Sequence, residues 1–232
     1  MNPPAGGGTE SQTGPHDPDS FVAAGAPRGA ARAAVVALHG RGATAQGIVN
    51  LLDPVARHGV AFVAPRADRS RWYPGAADDP LKRNEPHLSS ALGVVESVLD
   101  RVASTVGVPR ERTVLLGFSQ GACVAAEYAA RNPGPSPVVV LSGTLLGPTV
   151  DADADRYAGD ERFDGTPVFV GCGADDARVD AGRVRDTADV FRSLGADVTE
   201  RRYDGVGHEV TDDEFEYVDA LLAGLVGDRD PG

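Results

Sequence analysis

The stretch Thr113-Val-Leu-Leu-Gly117-Phe-Ser119-Gln120-Gly121-Ala-Cys123-Val-Ala-Ala126 decides how this chain is read. Its first six residues form a short apolar run, the pattern of a strand buried on both faces. From Gln120 onward the residues are mostly small helix formers. Gly117-x-Ser119-x-Gly121 falls on the junction between the two. A sharp strand-to-helix turn needs glycines there, because neighbouring backbone approaches where a side chain would clash. Such a turn lifts the Ser119 hydroxyl out of the sheet and aims it at solvent. The helix that follows points its unpaired N–H groups, and its positive end, at the same space. A serine presented in this way is a candidate nucleophile.

Outward from this stretch, short apolar runs alternate with helical patterns. Strands are expected over Ala33–Leu38, Ala61–Ala64, Thr113–Phe118, Val138–Leu141, Val168–Cys172 and Val198–Tyr203. Helices are expected over Ala45–His58, Pro86–Val106, Gln120–Asn132, Ala181–Leu194 and Asp212–Val226. Leu88, Leu92, Val95, Leu99 and Val102 recur at helical spacing, with Asn84 and Pro86 placed as cap and first turn. This alternation implies a mostly parallel sheet with right-handed crossovers and helices on both faces. With a Gly-x-Ser-x-Gly elbow it is an α/β arrangement similar to the α/β-hydrolase fold. Residues 1–19 and 227–232 are rich in Gly, Pro and Asp and read as loose ends around one domain over residues 20–226.

In such sheets the chemistry sits beyond the C-terminal strand ends, and two further loops there carry the necessary residue types. Val35-Val-Ala-Leu-His39-Gly40-Arg41-Gly42 follows the first strong strand. In this fold that loop supplies one backbone N–H of an oxyanion hole. The expected pair is the N–H of Arg41 and the N–H of Gln120, the residue after the serine. His39 lies at a strand end, on the wrong loop for a base, and reads as structural. The Arg41 side chain is open to two readings, a contact with an acidic substrate group or a solvated arginine.

Chain order in this fold is serine, acid, histidine. His208 is the only histidine after Ser119, in Asp204-Gly-Val-Gly-His208 between the last strand and the last helix. It is the expected base. His16, His58 and His87 read as surface residues. The acid should follow the strand Val168–Cys172, where the loop holds adjacent Asp175 and Asp176. Adjacent side chains point in different directions, so only one can accept a hydrogen bond from His208; chemistry alone leaves both open. The single tryptophan, Trp72, and Tyr73 lie in a long irregular stretch over residues 66–85 and are expected to wall the substrate pocket with Leu145 and Leu146.

The chain has 232 residues, 41% of them apolar and 6% aromatic, enough to fill the core of one domain. Its formal net charge is −12, and Lys82 is its only lysine. Such a surface repels duplex DNA and anionic membranes, so no nucleic-acid partner and no membrane insertion are expected. Arginine-for-lysine usage with many aspartates suggests a high-salt cytoplasm; an ordinary acidic enzyme is the alternative, and thermal melts with and without molar salt separate the two. The N-terminus lacks the basic and apolar regions of a signal peptide, and no run approaches the roughly 18–20 apolar residues that span a bilayer. A cytoplasmic location is the expectation. Cys123 and Cys172 lie in apolar runs and read as buried free thiols, and no cysteine or histidine spacing suggests a metal.

Taken together, His39-Gly-Arg-Gly, Gly117-Phe-Ser-Gln-Gly-Ala, Gly173-x-x-Asp176-x-x-Val179 and Gly207-His208 resemble the phospholipase/carboxylesterase branch of the α/β-hydrolases, which includes acyl-protein thioesterases. Trp72-Tyr-Pro74, Asn84-Glu-Pro-His-Leu-Ser-Ser-Ala-Leu92 and Leu141-Ser-Gly-Thr-Leu-Leu-Gly147 look like one prokaryotic subgroup of it. The resemblance places the acid on Asp176. It implies a small esterase without a large cap domain or a cofactor, acting on a small-molecule ester through an acyl-enzyme on Ser119. Homodimers are common in similar folds. The first loop differs from the thioesterase-like His-Gly-Leu-Gly-Asp, which argues against acyl-protein substrates. The other readings are a thioesterase or lysophospholipase of the same family and, from another class, a non-catalytic ligand-binding homologue.

Overall fold

The computed structural model describes residues 14–151, 154–157 and 162–227. Every strand expected from the apolar runs is present, extended by at most one residue at either end. They are β2 (Ala33–Leu38), β3 (Val60–Pro65), β4 (Thr113–Phe118), β5 (Val138–Leu141), β6 (Pro167–Gly173) and β7 (Asp197–Tyr203). One more strand, β1 (Phe21–Gly25), precedes them. The sheet order is β1-β3-β2-β4-β5-β6-β7, parallel throughout except that β1 runs antiparallel to β3. β1 carries little signal in the sequence because Ala23, Ala24 and Gly25 lie exposed on the sheet edge; its pairing with β3 supplies what its composition does not.

Residues alternate between two cores, as a pleated strand requires. Ala34, Val36 and Leu38 face α2 (His87–Arg101), α3 (Gln120–Arg131) and α4 (Ala181–Ser193). Ala33, Val35 and Ala37 face α1 (Ala45–Leu51) and α5 (Asp212–Gly227). Helices therefore cover both faces of an α/β-hydrolase fold. Among the described residues, the long connections after β3 and β5 insert no large cap over the C-terminal strand ends.

Four expectations are corrected. The helix from Ala45 stops at Leu51 rather than His58, because Pro54 cannot continue it and a separate tight turn forms over Asp53–Val55. Asn84 does not cap α2. It is fully buried and holds the loop before it, accepting from the Gly75 N–H and donating to the Ala76 carbonyl. Glu85 instead accepts from the Ser89 N–H at the start of that helix. At the C-terminal end α5 runs through Gly227, so the folded body ends one residue later than the sequence suggested, and residues 228–232 lie outside the described residues.

The fourth correction concerns the N-terminal tail, of which residues 1–13 lie outside the described residues. Residues 14–19 are packed against the body, and His16 is buried rather than on the surface. Its Nδ1 accepts from the Asp68 N–H at 3.0 Å, and its Nε2 donates to the Trp72 carbonyl at 2.8 Å. His87 lies edge-on to it, 6.0 Å between ring centroids. Only the neutral imidazole satisfies both bonds. Burial accordingly holds His16 below the ordinary histidine range. An unfolded histidine takes up its proton near pH 6.5, and the folded one resists. The attachment is therefore at full strength above about pH 6.5 and weakens as pH falls below it. We expect amide protection at residues 14–20 and at Asp68 to drop between pH 7 and pH 5, after correction for intrinsic exchange rates. Protection that does not change across that window would contradict the role given to His16.

Candidate active site

The elbow forms as its sequence demands. Ser119 sits between β4 and α3 with φ 57°, ψ −121°, a left-handed conformation uncommon for a residue with a side chain. The turn is held by the Ser119 N–H bonded to Leu141 on β5, and by the first helical bond from Cys123 back to Ser119. A Cβ at Gly117 would overlap the Gly121 carbonyl oxygen, and one at Gly121 would overlap that of Leu38. Both positions thus require glycine for β4, β2 and α3 to converge.

Three residues far apart in the chain meet here. The Ser119 hydroxyl lies 2.8 Å from His208 Nε2, and His208 Nδ1 lies 2.6 Å from Asp176 Oδ2. His208 stacks at 5.2 Å on Phe118. The Asp176 carboxylate is fully buried. Its other oxygen accepts from the N–H groups of Arg178 at 2.8 Å and Val179 at 3.2 Å. Cys172 Sγ stands 3.7 Å from Oδ2, and burial together with this carboxylate pushes the thiol up to about 12. Burial raises the Asp176 carboxyl, but the bond from His208 and the two backbone bonds outweigh it and hold it below its usual range. An ionised Asp176 fixes the His208 tautomer with the proton on Nδ1. That leaves Nε2 free to accept the serine proton. Asp175 is exposed, and it is Asp176 whose carboxylate bonds to His208, so the structure places Asp176 in the hydrogen-bonded chain.

Gly40 comes close enough to the elbow that a Cβ there would stand 3.3 Å from Ser119 Cβ. This brings the Arg41 loop beside the serine. Among the described residues neither the Arg41 nor the Gln120 N–H donates to a protein acceptor. Their side chains have a task that the sequence did not announce: both hold the strap over residues 72–75. Gln120 accepts from the Trp72 N–H and donates to the Tyr73 carbonyl, each at 2.8 Å. The Arg41 guanidinium donates to the carbonyls of Tyr73, Pro74 and Gly75.

A cavity of about 300 Å³ opens beside Ser119 and His208, at the lower end of the size range of small-molecule sites. Tyr73 lines it. Trp72, Leu145 and Leu146 do not: all three are fully buried in the core. The Trp72 indole N–H donates to the His39 carbonyl at 2.8 Å, so this ring anchors the strap rather than walling the pocket. His39 is structural, bonded to the Gly40 carbonyl and the Ala67 N–H. Leu145 and Leu146 turn inward because the buried Glu127 holds their loop, accepting from the Leu146 N–H and Tyr157 and pairing with Arg131 and Arg156. The cavity wall is instead built from Cys123, Ser142, Thr144, Val179 and charged residues at the rim. Ser142 and Thr144 directly follow β5, so the rule that ligands gather beyond strand ends would have found them.

The family model described as Phospholipase/Carboxylesterase matches residues 20–225. The chain is 27% identical to an acyl-protein thioesterase 1 of Gibberella zeae over 82% of its own length and 89% of that protein. It is 26% identical to a lysophospholipase-like protein 1 of Mus musculus, covering 88% and 92%. A solved phospholipase/carboxylesterase structure from Dyadobacter fermentans superposes with a TM-score of 0.81 at 32% identity, covering 89% of this chain and 97% of that one. No helix among the described residues is long and apolar enough to cross a membrane.

Proposed function

The chain belongs to the phospholipase/carboxylesterase family, and from that premise we propose that it is a serine esterase that hydrolyses small to medium carboxylic esters through an acyl-enzyme on Ser119. The observation that carries this reading is the continuous Ser119–His208–Asp176 hydrogen-bond chain opening on a cavity of modest size.

In the proposed cycle His208 takes the Ser119 proton as Oγ attacks the ester carbonyl carbon. The developing oxyanion is received by the N–H groups of Arg41 and Gln120. The imidazolium, stabilised by Asp176, gives its proton to the departing alcohol, and the acyl group stays on Ser119. Water then attacks the acyl carbon, with His208 again accepting a proton, and releases the acid and free serine. Every step uses groups of this chain alone. Thioesters are the second reading, favoured by the thioesterases among the relatives, and the same groups would serve them.

A fluorophosphonate probe tests the central point. Ser119 Oγ should displace fluoride from phosphorus, and mass spectrometry should find one adduct on the peptide containing Ser119. An untouched Ser119 under conditions that label a control serine esterase would refute the proposal and favour a non-catalytic binding protein.

A further inference from the structure

The charges at the cavity run against those of the chain. The whole sequence has 34 acidic and 22 basic residues, yet the cavity is lined by Arg41, Arg178 and Arg183 against Asp78 and Asp180. Two of the arginines have both terminal NH groups engaged. Arg41 donates to the strap carbonyls, and Arg183 donates to those of Leu145, Gly147 and Pro148. They keep their positive charge, since a carbonyl does not neutralise a guanidinium, but they have no fork left for a ligand. Arg178 differs. It is exposed, and among the described residues its guanidinium has no acceptor. Its backbone is nonetheless fixed, because its N–H donates to Asp176 Oδ1 at 2.8 Å. Asp180 is occupied as the N-cap of α4, accepting from the Arg183 N–H, and Asp78 lies exposed beyond the strap. The N-terminal ends of α3 and α4 both begin at this cavity, which adds positive potential to it.

Resting on the esterase reading, we propose that Arg178 binds a carboxylate on the substrate, so that the preferred esters are anionic. A planar guanidinium two residues beyond Asp176 presents a bidentate donor pair to a carboxylate group. Its backbone anchor at Asp176 tethers that pair at the cavity that Ser119 also lines. The contact is a specificity contact and takes no part in bond making. It favours esters of dicarboxylic or carboxylated aryl type over neutral esters of the same size.

Two matched pairs of esters test this. In 4-acetoxybenzoate and 4-acetoxybenzamide the charge, or its neutral isostere, lies on the leaving group. In mono-4-nitrophenyl adipate and its methyl ester it lies on the acyl side. The measured quantity is the anionic-to-neutral ratio of kcat/KM at low salt. For at least one pair it should exceed one in the wild type. It should fall about tenfold in Arg178→Gln, be partly kept in Arg178→Lys, which retains the charge without the fork, and shrink toward the Arg178→Gln value as salt is raised. Restoration by lysine separates charge recognition from a structural role. Turnover of both neutral esters with no charge preference, or a preference that survives Arg178→Gln, overturns this inference and leaves the esterase reading intact. Absence of turnover for all four esters overturns both.

Discussion

Ser119→Ala should lower kcat for 4-nitrophenyl butyrate by about 10⁶, with the fold retained. The hydroxyl is the cavity group placed to form an acyl-enzyme, and its side-chain bond is the one to His208. Removing it leaves the N–H groups of Arg41 and Gln120 and the cavity wall in place, so residual rate over water should persist. Alanine suits the φ of 57° at the elbow no worse than serine does, and the effect on stability should stay within about 1 kcal/mol. Kinetics and a thermal melt on the same preparation check both parts. A variant with more than a tenth of wild-type activity would remove Ser119 from the nucleophile role.

The second large effect separates two neighbouring aspartates. Asp176→Asn should lower kcat by about 10⁴ at neutral pH. The asparagine can still accept at one atom, but its amide donor forces the neighbouring bonds to rearrange, and it no longer stabilises the imidazolium. Asp176 also accepts the N–H groups of Arg178 and Val179, so its loop should hold better in the Asn variant than in Asp176→Ala. Asp175→Asn should alter kcat by less than about twofold, since that side chain is exposed and the bond to His208 comes from Asp176. Equal losses from the two substitutions would show that the loop, rather than one carboxylate, is what matters.

The strands and the hydrogen-bonded residues were legible because their signals are local or ordered along the chain. β2, β4 and β6 are continuous apolar runs, and the elbow needs glycine at two fixed offsets from Ser119. His208 is the only histidine beyond the serine, so chain order alone singled it out. The pocket wall was less legible. Trp72 and Tyr73 are adjacent and similar in character, yet one is an anchor under the strap and the other faces the cavity. That difference depends on which carbonyl the indole N–H can reach, and the His39 carbonyl comes from a loop 33 residues away. Leu145 and Leu146 follow a strand end, where substrate contacts belong, but Glu127 on α3 turns their backbone inward.

What the sequence by itself determined is the layered α/β sheet and that Ser119 and His208 stand on the loops that meet, because periodicity, glycine spacing and chain order are properties read along the chain. The tie between Asp175 and Asp176 needed either a family pattern or coordinates, since chemistry treats the two alike. Only the tertiary structure decided that residues 14–19 pack on the body, that Gln120 and Arg41 use their side chains to hold the strap, and that Arg178 lines the cavity with no acceptor for its guanidinium among the described residues. Each of these depends on which polar groups from distant segments are brought within hydrogen-bonding range. That range is about 3 Å, and no pattern along the chain records it.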